Sequence, residues 1–301
     1  MHRWKPALLI AGLLATTVTG CGGGTSAPAP TAPTTRAASG AHRAADDPER
    51  TLYLAEQVLI KKCMEKRGHE YWVEPPPPKD VSARFPLVVD DPAWARTHGY
   101  GTDLRRRREA EVRADPNRKY FRSASTAGRA ALVSDLNGPR PQGLSARLPN
   151  GVRVTHSDRG CQAAAQRELY GDLEAWFRAT RVTGALAGLR LGLVTGDKRY
   201  KAAVAPWARC MRGRGHPYAD PAESRAAATR EDRPWPRAKE VGLASAEADC
   251  AASSGLSDVV RSLNTEYRAE LGRRHPRETA DLTRLEREAL PRARVILARG
   301  D

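Results

Sequence analysis

The sequence contains no C-x-x-C or C-x-x-H pair, no GxSxG, no HExxH, no Walker loop and no GxGxxG turn. A zinc knuckle, a nucleophile elbow, a zincin helix, a phosphate-cradling loop and a dinucleotide turn each depend on one of these spacings to bring their groups together. None of those sites is written here in its recognised form. Phenylalanine is nearly missing, with three in 301 residues, and the excess of Ala and Arg is what a GC-rich genome produces as readily as any function. Acidic residues are outnumbered, 35 against 50 Lys and Arg, for a net charge of +15. Such a balance speaks to solubility and to anionic partners, not to fold. With 40% hydrophobic and 28% charged residues, the chain has the composition of a soluble globular protein, one large domain or two small ones.

The first residues read as a processing signal. Arg3 and Lys5 precede ALLIAGLLATTV, an uncharged apolar stretch too short to span a bilayer comfortably, and small residues follow. Val18-Thr19-Gly20-Cys21 has the form of a bacterial lipobox, in which residues 1–20 are removed and Cys21 is diacylated. The competing reading is a secreted protein whose Cys21 merely sits near the cut. Two acyl chains, at about 0.8 kcal/mol per buried CH₂, hold firmly where one would not. Residues 21–46 carry almost no large apolar side chain, so they cannot offset their ordering entropy and are expected to form a flexible tether about 25 to 30 Å in typical span. Removal of the signal takes Arg3 and Lys5 from the +15 and leaves +13. The expected location is the outer face of the cell membrane, with the charge facing an anionic bilayer and any anionic wall polymers.

Beyond Cys21 the chain has four cysteines, Cys63, Cys161, Cys210 and Cys250. In an exported protein an even number implies two disulfides, with three connectivities open.

One nonamer is written twice. Residues 63–71 read CMEKRGHEY and residues 210–218 read CMRGRGHPY, sharing Cys, Met, Arg, Gly, His and Tyr at the same offsets. Before the first copy, Leu52, Ala55, Leu59 and Cys63 fall on one helical face. Before the second, Tyr200, Ala203, Val204, Trp207 and Met211 do so, although Pro206 predicts a kink or restart near Val204. Arg67 and Arg214 place positive charge in a last turn, and Gly68 and Gly215 suit a left-handed cap. His69, Tyr71, His216 and Tyr218 then emerge just past a helix end.

Each copy has a trailing half. QAAAQRELYGDLEAWFRAT after Cys161 carries Ala165, Leu169, Leu173, Trp176 and Phe177 at helical spacing. AASSGLSDVVRSLNTEYRAEL after Cys250 carries Leu256, Val259, Val260, Leu263, Tyr267 and Leu271 likewise. The simplest architecture is mostly α, a helical domain over 47–301 made of two disulfide-stapled pseudo-repeat units at about 47–195 and 196–301. That reading pairs Cys63 with Cys161 and Cys210 with Cys250. Between the halves of the first unit lies an irregular Pro-rich insertion beginning WVEPPPPKD. Short helices are predicted to start at Asp91-Pro92, Asp115-Pro116 and Ser125, and ARLPNGVRVT predicts a small β-hairpin. A last helix follows over ETADLTRLEREALPRARVILA, bent at Pro291.

The lipobox VTGC, the doubled CMxxRGHxY, DPAWARTHGYG, GCQAAAQRELYGDLEAWF and the tail ALPRAR resemble a group of actinobacterial exported lipoproteins of uncharacterised function. The resemblance spans essentially the chain beyond the tether. It implies the architecture and the location and brings no activity with it.

The best polar cluster is His69, Tyr71, His216 and Tyr218, joined by Arg67 and Arg214. If the two units face each other, these residues line one groove with two imidazoles, which can bind a metal or move protons. The favoured reading is that they pack under neighbouring helices. The basic run Arg105 to Arg108 is diluted by Glu109 and Glu111 and reads as a solvated face or an anionic-polymer contact, not a nucleic-acid footprint. Trp72, Trp94 and Trp235, each near prolines, either stack on sugars or pin irregular loops. The expectation is a non-catalytic binding or scaffold protein at the membrane and wall interface, without cofactor, metal or nucleic acid. Its partners are the membrane through a diacylglycerol on Cys21 and either anionic wall polymers or another envelope protein. The alternative is a cell-wall-active or metal-dependent enzyme using His69 and His216.

Overall fold

The structure is a computed structural model that describes residues 47–76 and 84–299. The signal 1–20, Cys21, the tether to residue 46 and residues 77–83 of the Pro-rich insertion lie outside the described residues. The described chain is mostly helical, with twelve helices and one two-stranded hairpin.

Helix α1 (Pro48–Lys66) starts where Asp47 accepts hydrogen bonds from the Glu49 and Arg50 amides and Pro48 takes the first turn. It buries Leu52, Ala55, Leu59, Ile60 and Met64, the face that the spacing predicts. Three short helices start where expected, α2 (Pro92–His98) capped by Asp91, α4 (Pro116–Ser123) capped by Asp115 and α5 (Thr126–Asn137) capped by Ser125, and α3 (Thr102–Ala114), which has no side-chain cap, lies between α2 and α4. Strands β1 (Gly143–Arg147) and β2 (Arg153–Ser157) pair antiparallel, Gly143 opposite Ser157 and Arg147 opposite Arg153. The turn closes through the Gly151 amide on the Leu148 carbonyl at 2.9 Å, with Gly151 at φ 85°.

The trailing half of the first unit is not one helix. The chain breaks at Gly171, φ 81°, into α6 (Cys161–Tyr170) and α7 (Leu173–Gly196), because Asp172 caps the new start through the Ala175 amide. The periodicity runs across this break because the residues on both sides are buried. Pro206 gives the opposite surprise: α8 (Lys198–Gly213) runs through it without a restart. Helices α9 (Pro221–Ala228), α10 (Arg237–Ser253), α11 (Leu256–Arg274) and α12 (Pro276–Ala298) complete the chain. Gly255, at φ 78°, separates α10 from α11, so Cys250 lies in α10 and the apolar stripe from Leu256 belongs to α11.

Both disulfides are present, Cys63 to Cys161 and Cys210 to Cys250, with Cα separations of 5.5 and 5.6 Å. Each joins the end of one helix to a helix later in the chain. Their surroundings form two main apolar clusters. The first gathers Leu52, Leu59 and Met64 of α1 with Cys161 and Leu169 of α6 and with Leu285, Ala289 and Ala293 of α12. The second gathers Trp207 and Met211 of α8, Leu243 and Cys250 of α10, and Leu256 and Leu263 of α11, with Leu87 and Val88 from the insertion. The clusters therefore do not follow the sequence boundary near residue 195. The last helix covers the first one, and the segment after residue 84 covers α8 and α10.

Candidate functional site

The doubled nonamer ends two helices by the same backbone arrangement. In the first copy the Gly68 amide donates to the Glu65 carbonyl at 3.0 Å and the His69 amide to Met64 at 3.0 Å. In the second, Gly215 donates to Arg212 at 3.0 Å and His216 to Met211 at 2.9 Å. Gly68 and Gly215 sit at φ 81° and 80°. This is the double bond of a Schellman cap, which uses the last free carbonyls of the helix and needs a residue tolerant of positive φ. The Met at C3 is buried in both copies, so the repeated Cys-Met pair staples and seats the helix just before it ends.

The side chains past the caps go to different places. Arg67 donates to Asp135 Oδ1 at 2.5 Å, His69 Nε2 lies 2.8 Å from Asp135 Oδ2, and Tyr71 donates to Gln57 at 2.8 Å. The bonds from His69 and then Arg67 hold the Asp135 carboxyl below its usual range. Burial pushes the Tyr71 hydroxyl up to about 12. In the second copy Arg214 pairs with Asp249 at 2.8 Å, while the His216 ring makes no hydrogen bond among the described residues. Tyr71 packs on the first cluster and Tyr218 on the second. The recess beside His69 is lined by residues of 61–72 alone. The tyrosines of the two copies thus pack on different clusters, and no residue of the second copy lines the recess beside His69. Among the described residues no group of three or more His, Cys, Asp or Glu is arranged to hold a metal.

Sequence reasoning passed over two glutamates. Glu240 and Glu247 lie on the same face of α10, two turns apart, and are 2% and 0% exposed. Glu247 accepts from the Val89 amide at 2.8 Å, the Tyr100 hydroxyl at 2.5 Å and the Ser224 hydroxyl at 2.6 Å. Glu240 accepts from the Tyr100 amide at 2.9 Å, the Thr102 amide at 3.3 Å and the Thr102 hydroxyl. Together they clasp residues 89–102 onto α10. Gly99 and Gly101, at φ 58° and 83°, let the backbone present both amides. A Cβ on Gly99 would sit 2.9 Å from Glu240 Oε1. The stretch GYG is the motif DPAWARTHGYG at work, and the signal that could have exposed it is two carboxylates a heptad apart among the alanines and Leu243 of one helix face.

The clasp also forms the floor of a recess. Thr102, Arg105, Arg106 and Glu109 of α3 face Ala228, Arg230, Glu231, Pro234 and Trp235 across it, with Glu240 beneath, enclosing about 360 Å³. Two features read separately in the sequence, the arginine run and Trp235, meet here. Arg107 instead pairs with Glu111 at 3.8 Å on the solvent side. The other two tryptophans pin loops. Trp72 meets Tyr120 edge-on at 5.9 Å, and its backbone bonds Asn117. Trp94 lies against Phe85 and His98, under the Arg84 guanidinium.

No protein-family model, curated protein or solved structure matches this chain. What the geometry offers chemically is recognition: guanidinium forks, two wall carboxylates and an indole around one concavity.

Proposed function

We propose that this chain is a lipid-anchored, extracytoplasmic, non-catalytic binding protein, held at the membrane by a diacylglycerol on Cys21 and reaching a short distance into the envelope. The observation that carries the non-catalytic part is the use made of the doubled nonamer. Both copies cap stapled helices and their tyrosines pack on separate clusters, which supports structural roles for the repeat over one shared two-histidine centre. The anchor and location rest on VTGC at residues 18–21, the tether and the even set of cysteines, all oxidised in pairs. The excess of positive charge suits a neighbourhood of anionic lipid and polymer. The test is Cys21→Ala expressed in the native host. The altered chain is expected to leave the membrane fraction, and its retention there to the same extent as the unaltered chain would sink the anchor.

A further inference from the structure

We infer that the recess between the start of α3, the end of α9 and the start of α10 is a binding site for an anionic glycan, a sugar or polyol polymer bearing phosphate or carboxylate groups. This deepens the proposed function and rests on its extracytoplasmic placement for access to such a polymer. Three guanidiniums reach the recess from segments more than 120 residues apart in sequence, and their bonding capacity is largely unused. Arg106 makes no hydrogen bond or ion pair among the described residues. Arg230 is held bidentate by Asp232, two residues away, through Nε at 3.0 Å and Nη2 at 2.5 Å, which leaves its Nη1 edge. Arg105 spends one 3.4 Å bond on the Thr229 carbonyl and lies 3.9 Å from Glu109. A guanidinium offers five N–H donors in a planar fork that matches carboxylate and phosphate oxygens, so most of these donors await acceptors.

The carboxylates at the site define the ligand further. Glu240 is occupied by the Tyr100 and Thr102 donors, with Arg237 at 3.9 Å, and it serves the fold. Glu109 and Glu231 remain on the walls, where they would repel a bare anion but accept hydrogen bonds from hydroxyls. Forks for the acidic groups, acceptors for the hydroxyls and Trp235 as an apolar wall together fit a hydroxylated anion better than a simple one. The volume of about 360 Å³ suits one or two sugar-sized units of a longer chain, in a recess open enough for the chain to continue.

The experiment uses the full mature chain in detergent and titrates four soluble probes: poly(glycerol phosphate), polygalacturonate, neutral dextran and glycerophosphoglycerol, the deacylated form of a lipid headgroup. At least one polyanion is expected to bind and dextran is not. Arg106→Gln and Arg230→Gln should each weaken that binding about tenfold, the scale of one lost charge-assisted contact, with Tm unchanged. Arg277→Gln removes the same charge from an exposed position in the first turn of α12 and should leave affinity within about twofold. If Arg230→Gln lowers Tm, Arg106→Gln, whose side chain makes no bond, decides the matter. The inference is overturned if neither polyanion binds, if only glycerophosphoglycerol does, or if Arg277→Gln weakens binding as much as Arg106→Gln, which would reduce the effect to bulk charge. Retention of Cys21→Ala in membranes would remove the anchor without touching a binding result, so the two readings fail separately.

Discussion

Glu247 offers the sharpest check on the clasp. It is wholly buried, and burial pushes its carboxyl above the ordinary value of 4.5, against the opposing pull of its bonds from Ser224, Tyr100 and Val89. Replacing it by Ala removes two acceptor oxygens that take three hydrogen bonds and leaves a cavity. The Tyr100 and Ser224 hydroxyls keep each other at 3.2 Å, and Ser224 keeps the Pro221 carbonyl at 3.0 Å. The Val89 amide is left with no acceptor in the core. The expected loss is roughly 3 to 5 kcal/mol, a fall in Tm on the order of 10 °C. Glu247→Gln keeps one carbonyl oxygen for Val89, and its amide can donate to the two hydroxyls, so about 1 to 2 kcal/mol is expected. The pH dependence carries the stronger test. A carboxyl whose folded pKa is raised binds more protons in the native state than in the unfolded one, so its contribution is full at acid pH and declines as pH rises through a window opening near 4.5. Gln does not titrate. The margin of the unaltered chain over Glu247→Gln, read by circular dichroism melts between pH 4 and 8, should be widest at pH 4 and narrow upward. Other titrating groups are common to both chains and cancel. A margin that widens with pH would mean a carboxylate stabilised as the anion, and the account of a desolvation-dominated clasp would be refuted.

The glycines separate two kinds of constraint. Gly68→Ala meets no atom within 4 Å and should cost only its positive φ, about 1 kcal/mol, whereas Gly99→Ala also drives a Cβ into Glu240 and should cost about 2 kcal/mol or more in urea unfolding. Equal costs would show that Glu240 does not hold the loop closely. For the disulfides, non-reduced peptide mapping should return Cys63 with Cys161 and Cys210 with Cys250. Opening either should destabilise by up to roughly 4 to 5 kcal/mol on the chain-entropy argument, with the 98-residue loop costing slightly more than the 40-residue one. A peptide joining Cys63 to Cys210 would contradict the fold.

Much of the local structure was legible because its causes lie within a few residues. Asp47, Asp91, Asp115 and Ser125 cap the helices they precede, since a side-chain oxygen finds a free amide two or three positions on whatever the tertiary context. Gly68 and Gly215 stop helices for an equally local reason. The disulfide partners were legible for another reason: the repeat matched leading with trailing helices, and the pairing observed is the one that keeps each staple within its own copy. The same reasoning ran one helix across Gly171 because burial on both sides of a break preserves the apolar pattern. It expected a kink or restart of α8 near Val204, and no restart occurs, because propensity weighs a lost hydrogen bond but not the buried Trp207 and Met211 that hold the helix in place.

The sequence alone was enough for the helical class, the capped starts of α1, α2, α4 and α5, the stops at Gly68 and Gly215 and the pairing of the cysteines. Only the tertiary structure decided that α12 lies on α1, that residues 89–102 lie on α10 and that Arg105, Arg106, Arg230 and Trp235 share a recess. The bonds that fix the clasp span from 23 to 158 positions along the chain. An apolar stripe states that a helix face must be covered, but it does not name the cover, because hydrophobic attraction has no direction and any stripe of matching shape satisfies it. The choice is made by a few buried polar groups, Glu240 and Glu247 above all, whose donors must arrive with the correct geometry.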